Sequence, residues 1–133
     1  SANPSAVTRV RAQISAADAI LMATPEYNYG VPGVLKNAID WISRPQKDAP
    51  WRGKALAIAG ASPGNFGAIR AVYQLRQIAV SQDMRPLNRP EVMVAAAHSR
   101  FDEHGRLTDE TTRKYLADLL VALADSARQL RGS

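Results

Sequence analysis

Three short apolar runs, each closing on a turn-rich loop and each followed by a longer stretch of helical period, constrain this chain more than any other feature. The runs cover residues 19–24, 54–59 and 91–97. In the first, Ile20, Leu21 and Met22 are consecutive rather than alternating, which predicts a strand buried on both faces, as in a parallel sheet. Between the first two runs, Leu35, Ala38, Ile39 and Ile42 fall at i, i+3, i+4 and i+7, one apolar stripe of a helix that ends before Pro45 and has Pro32 near its first turn. Ile69, Val72, Leu75 and Ile78 stripe a second helix over 68–79, and Val7, Val10 and Ile14 mark an earlier one over 5–15. Thr108 reads as the N-cap of a terminal helix striped by Leu116, Leu119, Leu120, Leu123, Ala127 and Leu130. Strands alternating with helices imply βαβ units and an α/β fold around a parallel sheet. Residues 45–53 and 80–90 read as connections, the second because it is polar and holds Pro86 and Pro90. At 133 residues, the chain has room for one domain spanning 1–133.

Composition narrows the function. No apolar run approaches the length of a membrane span, and the start does not read as an export signal, so a cytoplasmic protein is expected. There is no cysteine, which removes disulfides, thiolate metal sites and cysteine nucleophiles. The net charge of +5 is spread over every segment with no basic run. That argues against nucleic acid and for attraction of small anionic ligands. His98 and His104 lack partners at metal-ligand spacing and are expected to be exposed or structural, so no metal site is predicted. Lys36 and Asp40 form an i, i+4 pair on a helix surface, while Trp41 and Trp51 are read as packing on the sheet or on a partner.

In parallel α/β sheets ligands bind at the carboxyl ends of the strands, where residues 25–33 and 60–67 form long loops. The first loop, Pro25-Glu26-Tyr27-Asn28-Tyr29-Gly30-Val31-Pro32-Gly33, packs two aromatics, an acid and an amide between prolines and glycines. It can offer backbone N–H groups to a flat, polar-edged heterocycle, or it can be a turn whose tyrosines pack on their neighbours. The second loop carries Gly60-Ala61-Ser62-Pro63-Gly64, the G-x-S-x-G pattern of a serine hydrolase, with Asp83 and His98 following in suitable chain order. Pro63 stands where that chemistry needs an oxyanion-hole N–H and has none to give. Ser62 therefore serves better as a hydrogen-bond donor to a bound ring.

These residues carry a resemblance. Ala17-Asp18-Ala19, then Thr24-Pro25-Glu26-Tyr27-Asn28-Tyr29-Gly30-Val31-Pro32-Gly33 and Leu35-Lys36-Asn37-Ala38-Ile39-Asp40-Trp41, closely resemble the NADPH-dependent FMN reductases, particularly their chromate and quinone reductase branch. Ser62, Gly64 and Gly67, then Arg70, Tyr73 and Leu75-Arg76-Gln77, fit the same branch, as does the stretch 85–91. The resemblance implies a flavodoxin-like, three-layer α/β/α fold of five parallel strands, of which this chain would supply three. It implies an FMN-dependent oxidoreductase passing electron pairs from NADPH or NADH to quinones, flavins, chromate or similar small acceptors. The alternative within the flavoproteins is an electron carrier or regulatory module that does not turn over NAD(P)H. By resemblance, Pro25, Glu26, Tyr27, Asn28 and Tyr29 line the isoalloxazine ring and Ser62 touches its polar edge. The flavin carries the chemistry, so no general base is nominated. A homodimer or homotetramer is implied, with Tyr29, Arg70, Tyr73 and Glu91 as interface residues.

One departure qualifies this. Such reductases open with a strand, a phosphate-gripping loop, a helix and a second strand, and roughly 40 to 60 residues of that kind would precede Ser1. The reading is of an N-terminally truncated domain that, by itself, holds FMN weakly or not at all, because the main anion site lies in that loop.

Overall fold

The computed structural model describes residues 2–132. In chain order it forms α1 (Ser5–Ala16), β1 (Ala19–Thr24), α2 (Gly33–Ile42), β2 (Ala55–Ala61), α3 (Ile69–Ser81), β3 (Arg85–Pro86), β4 (Val92–Val94) and α4 (Glu110–Gly132). Single 3-10 turns occupy Gln46–Asp48 and Ala97–Ser99. All strand pairs are parallel, with β2 in the centre. β1 runs along one side of it, from Ala19 opposite Ala55 to Thr24 opposite Gly60.

The other side of β2 corrects an expectation. Residues 80–90 were expected to be connection, yet Arg85 and Pro86 pair with Ala55 and Leu56, and Met84 and Gln82 are buried. β4 then pairs with the far half of β2, Ala59 opposite Val92 and Ala61 opposite Val94. The third strand position is thus filled in two pieces, with Pro90 in the gap where a ladder N–H would be needed. The expected strand over 91–97 shortens accordingly to Val92–Val94.

Alternation of size along β2 decides which layer lies on each face. Leu56 and Ile58 point into a cluster with Met22, Ile39, Ile42, Trp51, Val72 and Leu75, the side of α1, α2 and α3. Ala55, Ala57 and Ala59 point the other way and let α4 approach through Leu119, Leu123 and Ala127. Helices on both faces make the three-layer α/β/α sandwich. Trp51 belongs to the core, 2% exposed, its indole N–H donating to Gln82 Oε1 at 3.2 Å, whereas Trp41 is half exposed.

Four further expectations change. β1 is not buried on both faces: Leu21 is 46% exposed, because α4 covers β2 and β4 and leaves that side of β1 open. In α2 the inward stripe is Ile39 and Ile42, both buried, with Leu35 partly buried against them and Ala38 exposed. The cap of α4 is Asp109 rather than Thr108; its Oδ2 accepts from the Thr112 N–H at 3.0 Å and the Thr112 hydroxyl at 2.6 Å. Leu120 and Leu130 of the predicted stripe are largely exposed. No helix among the described residues is long and apolar enough to cross a membrane.

Candidate functional site

β1 and β2 end side by side, Thr24 opposite Gly60, so the loops that follow them share one rim. The first loop folds into a two-residue turn. Tyr27 and Gly30 exchange backbone hydrogen bonds of 3.0 Å in both directions, and the two residues between them, Asn28 and Tyr29, have φ of 52° and 68°. Both are left-handed, the geometry of a type I′ turn, and neither is glycine. Non-glycine residues in that region cost roughly 1–2 kcal/mol each, so the surroundings must hold the turn.

Three contacts do so. Gln74 of α3 accepts the Val31 N–H at 2.8 Å. The Arg70 guanidinium lies over the Tyr29 ring, 3.7 Å from its centroid, and 5.1 Å from that of Phe66. Glu26 anchors the start of the loop: its carboxylate accepts from the backbone N–H groups of Arg70 at 2.9 Å and Ala71 at 3.2 Å, and from Arg70 Nε and Nη2 at 2.6 Å each. The Glu26 side chain is only 8% exposed. The Arg70 hydrogen bond, joined by the backbone donors and opposed by burial, holds the Glu26 carboxyl below its ordinary pKa.

The second loop is shaped by close approach. A Cβ on Gly60 would stand 2.5 Å from the Gly67 carbonyl oxygen, and one on Gly67, whose φ is 58°, would stand 2.6 Å from the Met93 carbonyl carbon. β2, α3 and β4 converge there with no room for a side chain. Ser62 is fixed through its backbone, its N–H donating to Val94 O at 3.0 Å and its carbonyl accepting from the Ala97 N–H at 2.9 Å. Its Oγ accepts the Gly64 N–H at 3.1 Å, which leaves the hydroxyl proton to donate elsewhere. A hydrolase triad is not formed. Asp83 precedes β3 at the amino ends of the strands, paired with Arg85 and Arg52, while Ser62 stands at the carboxyl ends, and His98 is exposed with no hydrogen bond to Ser62 among the described residues.

Thr24, Pro25, Gly60, Ala61 and Val94 border an open, largely apolar cleft of about 360 Å³. Asn28 and Asn65, one on each loop, have no partner among the described residues. Free amides and a spare hydroxyl on the loops that follow the strand ends lining this cleft suit a flat ring with a polar edge. Of the predicted site residues, Pro25, Tyr27, Asn28 and Tyr29 are exposed on the rim and Ser62 is partly buried there. Glu26 is turned away, its carboxylate spent on α3. The predicted interface residues fall into two pairs: Arg70 with Tyr29, and Tyr73, whose hydroxyl donates to Glu91 Oε1 at 2.7 Å. Accepting that bond, Glu91 raises the Tyr73 pKa. The roles of Gln74 and of the Arg70–Glu26 pair were not visible in sequence, since the partners lie more than 40 residues apart.

A parallel α/β sheet with helices on both faces and a cleft at its carboxyl rim fits the flavodoxin-like folds. Residues 1–99 match the family of NADPH-dependent FMN reductases, and the chain belongs to that family. It is 56% identical over 129 residues to an NAD(P)H-dependent FMN reductase of Pseudomonas aeruginosa, covering 97% of this chain and 69% of that one. Identity to an NAD(P)H:quinone oxidoreductase of Solanum tuberosum is 45%, over 97% of this chain and 66% of the relative. In structure it is similar to the flavoenzyme NAD(P)H:(acceptor) oxidoreductase FerB of Paracoccus denitrificans, with a TM-score of 0.84 and 36% identity over 95% of this chain and 69% of that one. The chain thus spans about two thirds of the length of these proteins.

Proposed function

We propose that the protein is an FMN-dependent oxidoreductase that uses NADPH or NADH to reduce small, flat acceptors of the quinone type. The observation that carries this reading is the pair of loops at the carboxyl ends of β1 and β2, whose strand ends line an apolar cleft and which carry unspent polar groups, in a member of the FMN reductase family. When bound, FMN supplies two-electron chemistry, accepting from the nicotinamide and donating to the acceptor. The chain's own residues bind and orient. Pro25, Tyr27, Asn28 and Tyr29 line one edge of the ring, Glu26 contributes only backbone there, and Ser62 donates its hydroxyl proton to the polar edge. None of them is asked to move a proton. The strained turn arrives already shaped, so binding does not have to order it.

The protein acts as a homodimer or homotetramer in this reading. Tyr29 and Phe66, both exposed and flanking Arg70, and the exposed Tyr73 bonded to Glu91 supply aromatic and arginine side chains of the kind that interfaces use. The test is NADPH oxidation with FMN and a quinone supplied together. Reduction that depends on FMN supports the proposal, and flavin binding without NAD(P)H turnover would make the protein an electron carrier instead.

A further inference from the structure

Helix α3 lacks a cap of its own. The residue before it, Ala68, has φ of 65° and no side chain able to accept the first N–H groups. Gly67 and Ala68 are wedged against Met93 and β2, where a larger polar residue would not fit. The acceptor comes instead from 44 residues earlier. Glu26 Oε1 receives the Arg70 and Ala71 N–H groups, the second and third of the helix, where a capping side chain would bond. Its other oxygen receives both Nε and Nη2 of Arg70, the side-on geometry that arginine makes with a carboxylate. The guanidinium so fixed is the one lying on Tyr29, whose own backbone is left-handed.

We infer that Glu26 is a positioning residue: its buried carboxylate ties the first loop to α3 and holds Arg70 against Tyr29, which keeps the 27–30 turn in its binding shape before a ligand arrives. This rests on the reading above that the loop receives a flavin. Without the tie the turn relaxes towards ordinary φ, and only the fraction still in shape binds, so apparent affinity falls by that fraction. Contact with the ligand is not required for the effect.

The experiment uses Glu26→Gln, Arg70→Lys and the double variant, with Arg128→Ala, remote on α4, as a control. Gln keeps the shape but turns an amide donor towards the guanidinium; Lys keeps the charge but cannot bind side-on or lie flat on Tyr29. Two quantities are read: hydrogen exchange at the Tyr27 and Gly30 amides without flavin, and the FMN dissociation constant from quenching of flavin fluorescence. The expected result is faster exchange at both amides and an FMN Kd raised about tenfold in each single variant, the weight of one hydrogen bond to a charged group. The double variant should be no worse than the poorer single, because the two residues act as a unit. If Glu26→Gln folds poorly, Arg70→Lys carries the same test at a partly exposed position. Unchanged exchange at Tyr27 and Gly30, with only the melting temperature lowered, would overturn the inference and leave Glu26 as a helix cap alone. Failure of the unsubstituted full-length protein to bind FMN would instead overturn the flavin reading, while the exchange rates would still decide what Glu26 holds.

Discussion

At the scale of single residues, the rim depends on glycines that have no substitute. Gly67→Ala would set a methyl group 2.6 Å from the Met93 backbone at a positive φ, so β4 or α3 must shift. The expected outcome is a loss of about 2 kcal/mol or more in denaturant unfolding, with FMN binding weakened in proportion. Gly33, whose Cβ position is open, should accept alanine with little change in either measurement. In the core, Leu75 is fully buried between α3 and the sheet, and Leu75→Ala is expected to cost about 2–5 kcal/mol in the same assay.

At the scale of elements, helix ends are secured by distant side chains. Lys54, just ahead of β2, donates its ammonium protons to the carbonyls of Ile14, Ser15 and Ala17 at 2.6 to 2.8 Å, closing the C-terminus of α1 where a positive charge also suits the helix dipole. Arg11 does likewise for the end of α2, donating to the carbonyls of Ile42, Arg44 and Asp48. Lys54→Met should lower stability by about 1–2 kcal/mol, and hydrogen exchange should speed up in the last turn of α1 before it does in β2. The N-terminus of α4 is held by Asp109, whose pKa is lowered by the Thr112 hydroxyl and N–H and by Arg100. A depressed carboxyl contributes stability that is complete above the ordinary carboxylate range and is lost as pH falls through the depressed value. Glu26 has the same sign. Melting temperature should therefore hold steady at neutral pH and fall on acidification, and Asp109→Asn should show a lower plateau and a shallower fall.

These elements also show how far the sequence could be read. Helical stripes such as Ile39 with Ile42, or Val72 with Leu75, are local patterns, so the helices and the order of layers were legible. So was the rim, because long loops after parallel strands mark it. What escaped depends on partners far away in the chain: the Glu26 cap of α3, the pairing of Arg85 and Pro86 with β2 despite a proline, and the exposure of Leu21. An apolar run shows that a strand can be buried, and only the placement of α4 shows which strands are.

For the whole molecule, the end of β1 borders the cleft, while the exposed aromatic surface around Arg70, which shares Tyr29 with the rim, is the proposed contact between copies. Light scattering should show a dimer or tetramer, and Arg70→Ala or Glu91→Ala should reduce its mass; an unchanged mass would remove these residues from the interface. The central claim, that the rim binds a flavin which links NAD(P)H to a small acceptor, is tested most directly by following NADPH absorbance while FMN is titrated to saturation in the presence of a soluble quinone. Oxidation should rise with FMN to a plateau and give parallel double-reciprocal lines when NADPH and quinone are varied, as expected when the first product leaves before the second substrate binds. A rate with the full-length protein no higher than that of FMN and quinone alone would contradict it.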